Sequence, residues 1–135
     1  RLLPLALVVT PNLHEAAALA EIPVGTEAEM EAAARRIHAL GPAWVLVKGG
    51  HLKGDAVDLL FDGARLTRLV AARIDTPHTH GTGCTYSAAI AAGLARGASV
   101  PDAVAEAKRY VTAAIRAGFA LGRGVGTLRH FVETW

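Results

Sequence analysis

An α/β fold with a mainly parallel sheet flanked by helices is the class this chain predicts, on three observations. Two apolar runs of strand length, Leu5-Ala6-Leu7-Val8-Val9-Thr10 and Trp44-Val45-Leu46-Val47, read as strands buried on both faces. Stretches between and after them place apolar residues at helical spacing. Strands and helices alternate along the chain, with a single hairpin added, which is the order of an α/β sheet. With 135 residues and 52% apolar content, one domain with a real core is expected.

Pro11 ends the first strand, Asn12 to Ala20 begins as a short helix, and Ile22-Pro23-Val24-Gly25 is a loop. Thr26 with Glu29 forms a capping-box pattern for the next helix. Met30, Ala33, Ala34, Ile37 and Leu40 share its apolar face, and Gly41-Pro42 stops it. His38 on that helix is placed at the surface. The second strand ends at Lys48-Gly49-Gly50. Ala56 to Phe61 and Ala64 to Arg73 then flank Asp62-Gly63, a strong two-residue hairpin signal.

From Asp75 the chain reads as a strand end, a glycine-spaced loop, and a helix from about Cys84 to Ala95 that ends near Gly97. Ser99 and Asp102 open the last helix, with Val104, Ala107, Val111, Ala114 and Ile115 on one face and an end near Gly122. Loop and a short terminal element fill the last dozen residues.

Composition excludes several classes of function. The net charge of +2 comes from nearly balanced charges, with no basic stripe interleaved with aromatics, so no nucleic-acid partner is expected. The longest apolar runs fall far short of the about 20 residues that span a bilayer. No signal-peptide pattern opens the chain, and cytoplasm is the expected compartment. A single cysteine cannot form an internal disulfide, so Cys84 is either a small buried hydrophobe or a chemical group. His14, His51, His78 and His130 show no metal-ligand spacing.

The stretch His80-Gly81-Thr82-Gly83-Cys84-Thr85 carries the strongest chemical signal. Glycines flanking one residue let successive N–H groups converge on a point, and the following helix aims its positive end at the same point. No Gly-Lys-Ser/Thr follows, so it is not a Walker A loop, and the dinucleotide spacing is absent. The residues alone indicate an anion site suited to phosphate. A plain strand-to-helix connection is the competing reading.

Two further candidates lie at the predicted ends of strands, where open α/β sheets place ligands. Asn12 and Glu15 bear hard oxygens suited to Mg²⁺, and the same three-residue spacing is also a helix-capping pattern. Lys48 closes an apolar strand, where its ammonium either reaches solvent or meets a phosphate.

The stretch His80 to Thr85, followed by Ser87-Ala88-Ala89, resembles the anion-hole motif of the hydroxymethylpyrimidine and phosphomethylpyrimidine kinases of thiamin biosynthesis, in the ribokinase-like superfamily. Thr10-Pro11-Asn12-Leu13-His14-Glu15-Ala16, Val47-Lys48-Gly49-Gly50-His51, and Gly124-Val125-Gly126-Thr127 with His130-Phe131 resemble the same family, in order. The resemblance implies ATP-dependent phosphorylation of 4-amino-5-hydroxymethyl-2-methylpyrimidine and then of its monophosphate. It implies ATP and Mg²⁺ as cofactors, with Asn12 and Glu15 on the metal side and Lys48, Gly49, Thr79 and Thr85 on the nucleotide. Gly81, Thr82 and Gly83 would stabilise the γ-phosphate, and Cys84 would face the acceptor hydroxyl. Most kinases of the superfamily carry aspartate where Cys84 stands, and a related branch of pyridoxal kinases shares the cysteine. Pyridoxal kinase is therefore the nearest alternative, and a non-catalytic nucleotide-binding module is the alternative from another class.

The family is roughly twice as long as this chain. The expectation is the C-terminal, nucleotide-binding half of one ribokinase-like domain, lacking its N-terminal half, whose exposed edge another segment or chain covers. The intact protein is expected to be a homodimer.

Overall fold

Residues 1–50 and 54–132 are described in the computed structural model. They fall into two units, Arg1–Arg73 and Ile74–Trp135. His51, the last residue of the Lys48 motif, lies outside the described residues, as does the final part of the terminal element.

The first unit is a four-stranded sheet with two helices. Its strands are β1 (Val8–Val9), β2 (Trp44–Lys48), β3 (Ala56–Phe61) and β4 (Leu66–Ala71), hydrogen-bonded in that order. β1 runs parallel to β2, pairing Val8 with Trp44 and Val9 with Val45. β2–β3 and β3–β4 are antiparallel. The sheet is thus mixed, and the expected parallel majority does not hold for these strands. The reason is connection length: Gly49 to Asp55 is too short for a crossover, which takes a dozen or more residues.

The first apolar run also yields less strand than its composition predicts. Leu3–Leu5 form a 3-10 turn around Pro4, and only Val8 and Val9 pair. Proline's fixed φ favours the turn. Leu5 and Leu7 are exposed.

Helix α1 (Leu13–Ala20) and helix α2 (Glu27–His38) cover one face of the sheet. Val45, Val47, Val57, Leu59 and Phe61 alternate onto that face and meet Leu13, Ala16, Ala20, Met30, Ala33, Ala34 and Ile37. Each large side chain buried there contributes about 1.5–3 kcal/mol relative to exposure. α2 ends before Leu40, which is exposed rather than on the apolar face. His38 is half-buried, its ring edge-on to Phe61 at 5.3 Å, while the Arg35 guanidinium lies 4.8 Å from the same ring. The surface placement of His38 is corrected accordingly.

The Thr26 cap forms, with Thr26 Oγ1 accepting from the Glu29 N–H at 3.2 Å. The Glu29 carboxylate accepts from the Gly25 N–H at 2.8 Å, one residue ahead of the usual box partner. At the hairpin, β3 and β4 are joined by the four residues Asp62 to Arg65 rather than by two. Asp62 Oδ1 accepts from the N–H groups of Ala64 (2.8 Å) and Arg65 (2.6 Å), which closes the turn.

The second unit is a helix pair with a returning tail. Helix α3 (Thr82–Ala95) packs on helix α4 (Val100–Arg116), closely enough at Gly93 that its Cα faces Ala103. Ser99 caps α4 by accepting from the Asp102 N–H at 3.3 Å. α4 ends at Arg116, short of the expected Gly122, because the chain turns back and Phe119 pairs antiparallel with Thr127. The Arg129 N–H then reaches the Ala114 carbonyl, satisfying one of the acceptors the helix end leaves open.

Candidate active site

In the first unit, the end of β2 and the start of α1 are tied by backbone. The Lys48 N–H donates to the Pro11 carbonyl at 2.9 Å, and Asn12 pairs with Lys48 in a parallel bridge. Asn12, Glu15, Lys48 and Gly49 therefore come together where β1 and β2 end. Asn12 Oδ1 accepts from the Glu15 N–H at 2.9 Å, and Glu15 Oε2 accepts from the Asn12 N–H at 2.8 Å. This is a complete capping box, so the capping reading of that spacing is realised. Glu15 is exposed. Among the described residues no cluster of three or more His, Cys, Asp or Glu side chains could hold a metal. One carboxylate and one amide suit a hydrated Mg²⁺ that takes its remaining ligands from water and phosphate, so the donor set fits that ion.

Gly49 is buried, and a Cβ there would stand 2.1 Å from the Val57 carbonyl oxygen and 2.8 Å from Met30 Cε. Glycine is thus required by the press of β3 and α2 against the chain. Its N–H donates to Asp58 Oδ1 at 3.0 Å and is already committed.

In the second unit, residues 74–79 form no strand, contrary to the expected strand end before the loop. Their polar groups are used locally: the His78 N–H donates to Thr76 Oγ1 (3.2 Å) and the Thr79 N–H to the Pro77 carbonyl (3.1 Å). Gly81 caps α3 at φ +83°, a left-handed conformation that favours glycine. The helix accordingly starts at Thr82, two residues before the expected Cys84. The Thr82 N–H and hydroxyl both donate to the Thr79 carbonyl, at 3.2 and 2.7 Å. The N–H groups of Gly81, Gly83 and Cys84 donate to no acceptor among the described residues. Thr79, Gly81, Thr82, Gly83, Cys84 and Thr85 thus form one continuous turn, with two of its threonine-borne donors spent on closing it.

Cys84 is exposed, which removes the buried-hydrophobe reading of this thiol. A groove of about 450 Å³ runs along α3 from Cys84 past Ala88 and Ala92 to Arg96, with Tyr110 and His130 on its wall. Helix spacing puts Cys84, Ala88, Ala92 and Arg96 on one face.

Sequence reasoning missed several residues that shape these turns. Asp58 holds the Gly49 amide, and Arg73 donates to the carbonyls of Gly54 (2.7 Å) and Gly50 (3.0 Å). His78 packs against Gly126 and Gly118, while the His80 N–H donates to the Gly126 carbonyl at 3.3 Å. The tail motif Gly124-Val125-Gly126-Thr127 was legible, but its contact with the loop needs the fold to be seen.

Residues 1–129 match the phosphomethylpyrimidine kinase family. The chain is 57% identical over 130 residues to the hydroxymethylpyrimidine/phosphomethylpyrimidine kinase of Streptomyces coelicolor, covering 96% of this chain and 48% of that protein. It is 53% identical over 133 residues to the thiamine biosynthesis bifunctional protein ThiED of Geobacter sulfurreducens, covering 98% of this chain and 27% of that protein. Among solved structures, an ADP complex of Bacillus subtilis pyridoxal kinase is similar with a TM-score of 0.92 at 48% identity, covering 96% of this chain and 51% of that one. The chain therefore spans about half the length of the Streptomyces relative and about a quarter of ThiED. The likeness establishes the ribokinase-like α/β fold. Since the match runs from the Asn12 cap through Lys48 to the glycine turn and the returning tail, the chain belongs to the phosphomethylpyrimidine kinase family.

Proposed function

We propose that this chain is the nucleotide-binding part of a single ribokinase-like kinase domain that phosphorylates 4-amino-5-hydroxymethyl-2-methylpyrimidine and then its monophosphate, using ATP. The observation that carries the reading is the start of α3, where the N–H groups of Gly81, Gly83 and Cys84 have no acceptor among the described residues and the Cys84 thiol is exposed. Unpaired amides at a helix N-terminus attract and stabilise anionic oxygen, and they cost no reorganisation when charge develops there. The names of relatives supply the substrate class.

In this reading the acceptor hydroxyl attacks the γ-phosphorus while the bond to the β-phosphate oxygen breaks and ADP departs. The Cys84 thiolate takes the hydroxyl proton, and the amides of Gly81, Gly83 and Cys84 hold the developing negative charge. Thr82, its own amide committed to Thr79, and Thr79 shape the turn, and Thr85 stands beside it in the first turn of α3. Lys48 and Gly49 serve the nucleotide, with the Lys48 ammonium offsetting phosphate charge. When bound near Asn12 and Glu15, Mg²⁺ supplies further neutralisation of the phosphates. A cytoplasmic homodimer without a nucleic-acid partner is part of the proposal; among the described residues no helix is long and apolar enough to cross a membrane.

Similarity to the pyridoxal kinase structure supports a second reading, phosphorylation of pyridoxal by the same machinery. Phosphorus NMR on the intact gene product with Mg-ATP, offering the hydroxymethylpyrimidine and pyridoxal separately, distinguishes them. A pyrimidine monophosphate that becomes a diphosphate is the expected result. Transfer to pyridoxal alone would move the assignment, and transfer to neither would leave a nucleotide-binding module. In the active enzyme, Cys84→Ser should lower kcat about a hundredfold with KM little changed, as loss of a proton acceptor does. Unchanged turnover would end the thiolate role.

A further inference from the structure

Asp58 is the one acidic side chain buried in the described part of the chain, 4% exposed, and it is not among the groups proposed to meet the phosphates or the acceptor. It stands directly across from Lys48 in the β2–β3 register, on the sheet face opposite α1 and α2. Its Oδ1 accepts the N–H of Gly49, the residue after Lys48, at 3.0 Å in a buried hydrogen bond. A charged acceptor makes a stronger bond to an amide than a neutral one, and burying a carboxylate is costly unless it is so engaged. The amide of Lys48 itself is held by the Pro11 carbonyl at 2.9 Å. Both peptide groups that flank the Lys48 Cα are therefore fixed, one by the chain before α1 and one by Asp58.

We propose that Asp58 is a positioning residue for nucleotide binding, acting through the Gly49 amide to set the direction in which Lys48 leaves the strand. The inference rests on the reading of Lys48 as a phosphate-binding lysine. Gly49 gives the turn no other way to relax, since β3 and Met30 already press on its Cα. Without the Asp58 acceptor, the peptide after Lys48 loses one of its anchors and its buried N–H is left unpaired. The effect falls on the ground-state grip on ATP, because Lys48 meets the phosphates before transfer begins.

The test uses the intact gene product with Lys48→Ala, Asp58→Ala and Asp58→Asn, reading kcat and KM for ATP and for the acceptor alcohol. Asp58→Ala should raise KM for ATP about tenfold or more, the scale on which misplacement of a binding group acts, and leave KM for the alcohol unchanged. Asp58→Asn retains an oxygen acceptor and should stay within about threefold of the parent, a rescue that a requirement for the negative charge does not predict. If Lys48→Ala weakens ATP binding while Asp58→Ala does not, the positioning role is overturned and the lysine reading stands. If Lys48→Ala changes nothing, the lysine reading itself fails. Should the alanine variant not fold, amide exchange in the unmodified protein decides. Strong protection of the Gly49 N–H supports the proposal, and rapid exchange there overturns it.

Discussion

Where β1 and β2 end, the N–H groups of Asn12, Glu15, Lys48 and Gly49 are already bonded to Glu15, Asn12, Pro11 and Asp58 in turn. At the start of α3 the amides of Gly81, Gly83 and Cys84 have no acceptor among the described residues, and the neighbouring bonds shape the turn. The first region presents side-chain charge from rigid backbone. The second presents the backbone itself. The contrast follows from what each offers a ligand: a lysine needs a fixed base to aim a long flexible chain, whereas an anion hole works through donors that nothing else has claimed.

The largest expected effect comes from breaking the second arrangement. Gly81→Val places a β-branched residue at φ +83°, which costs about 1–2 kcal/mol if the turn is kept and moves the open amides if it is not. Loss of kcat by about a hundredfold is expected, with circular dichroism showing α3 and α4 intact. Activity within threefold of the parent would mean that the open amides do not act on the transferred phosphoryl group.

A smaller effect sharpens the reading of the first region. Asn12→Ala removes the cap of α1 and should lower stability by about 1 kcal/mol, read from a urea titration. If Asn12 also serves the hydrated metal, the Mg²⁺ concentration needed for half-maximal activity rises in the same variant. A loss of stability with no change in Mg²⁺ demand would leave Asn12 as a cap only.

The smallest effect is electrostatic and lies away from both regions. The Gly25 amide, and then Thr26, hold the Glu29 carboxyl below its ordinary value, and the Arg65 and Ala64 amides do the same for Asp62. Lowered folded-state values stabilise the protein above the ordinary carboxylate range, and that stabilisation is lost as pH falls through the folded values. Urea midpoints should therefore drop from neutral pH to below roughly pH 4, less steeply in a Glu29→Gln, Asp62→Asn variant. An identical slope in that variant would show that other carboxylates govern the acid limb.

The local turns and caps were more legible than the strand directions. Asn12, Glu15, Lys48 and the Gly81–Cys84 turn stand in short motifs, whose local geometry depends on neighbours within a few residues. The β1–β2 pair is parallel and β3–β4 a hairpin as expected, but the parallel majority does not hold, although the brief Gly49 to Asp55 connection already argued for an antiparallel return. Apolar composition shows that a strand is buried, and says nothing about which way its partner runs. The Leu5–Thr10 run misled in the same way: its composition fits a strand, yet Pro4 and a pairing limited to Val8 and Val9 leave most of it outside the sheet.

By itself the sequence determined the caps at Asn12, Thr26 and Ser99, the helical faces that meet the sheet or each other, and the glycine needed at the start of α3, because each depends on local geometry. Only the tertiary structure decided that Asp58 engages the Gly49 amide, that Gly49 must lack a Cβ beneath Val57 and Met30, and that Gly126 returns to hold His80. Those contacts join residues far apart in the chain, and their partners are selected by the register of β2 with β3 and by the path of the tail after α4.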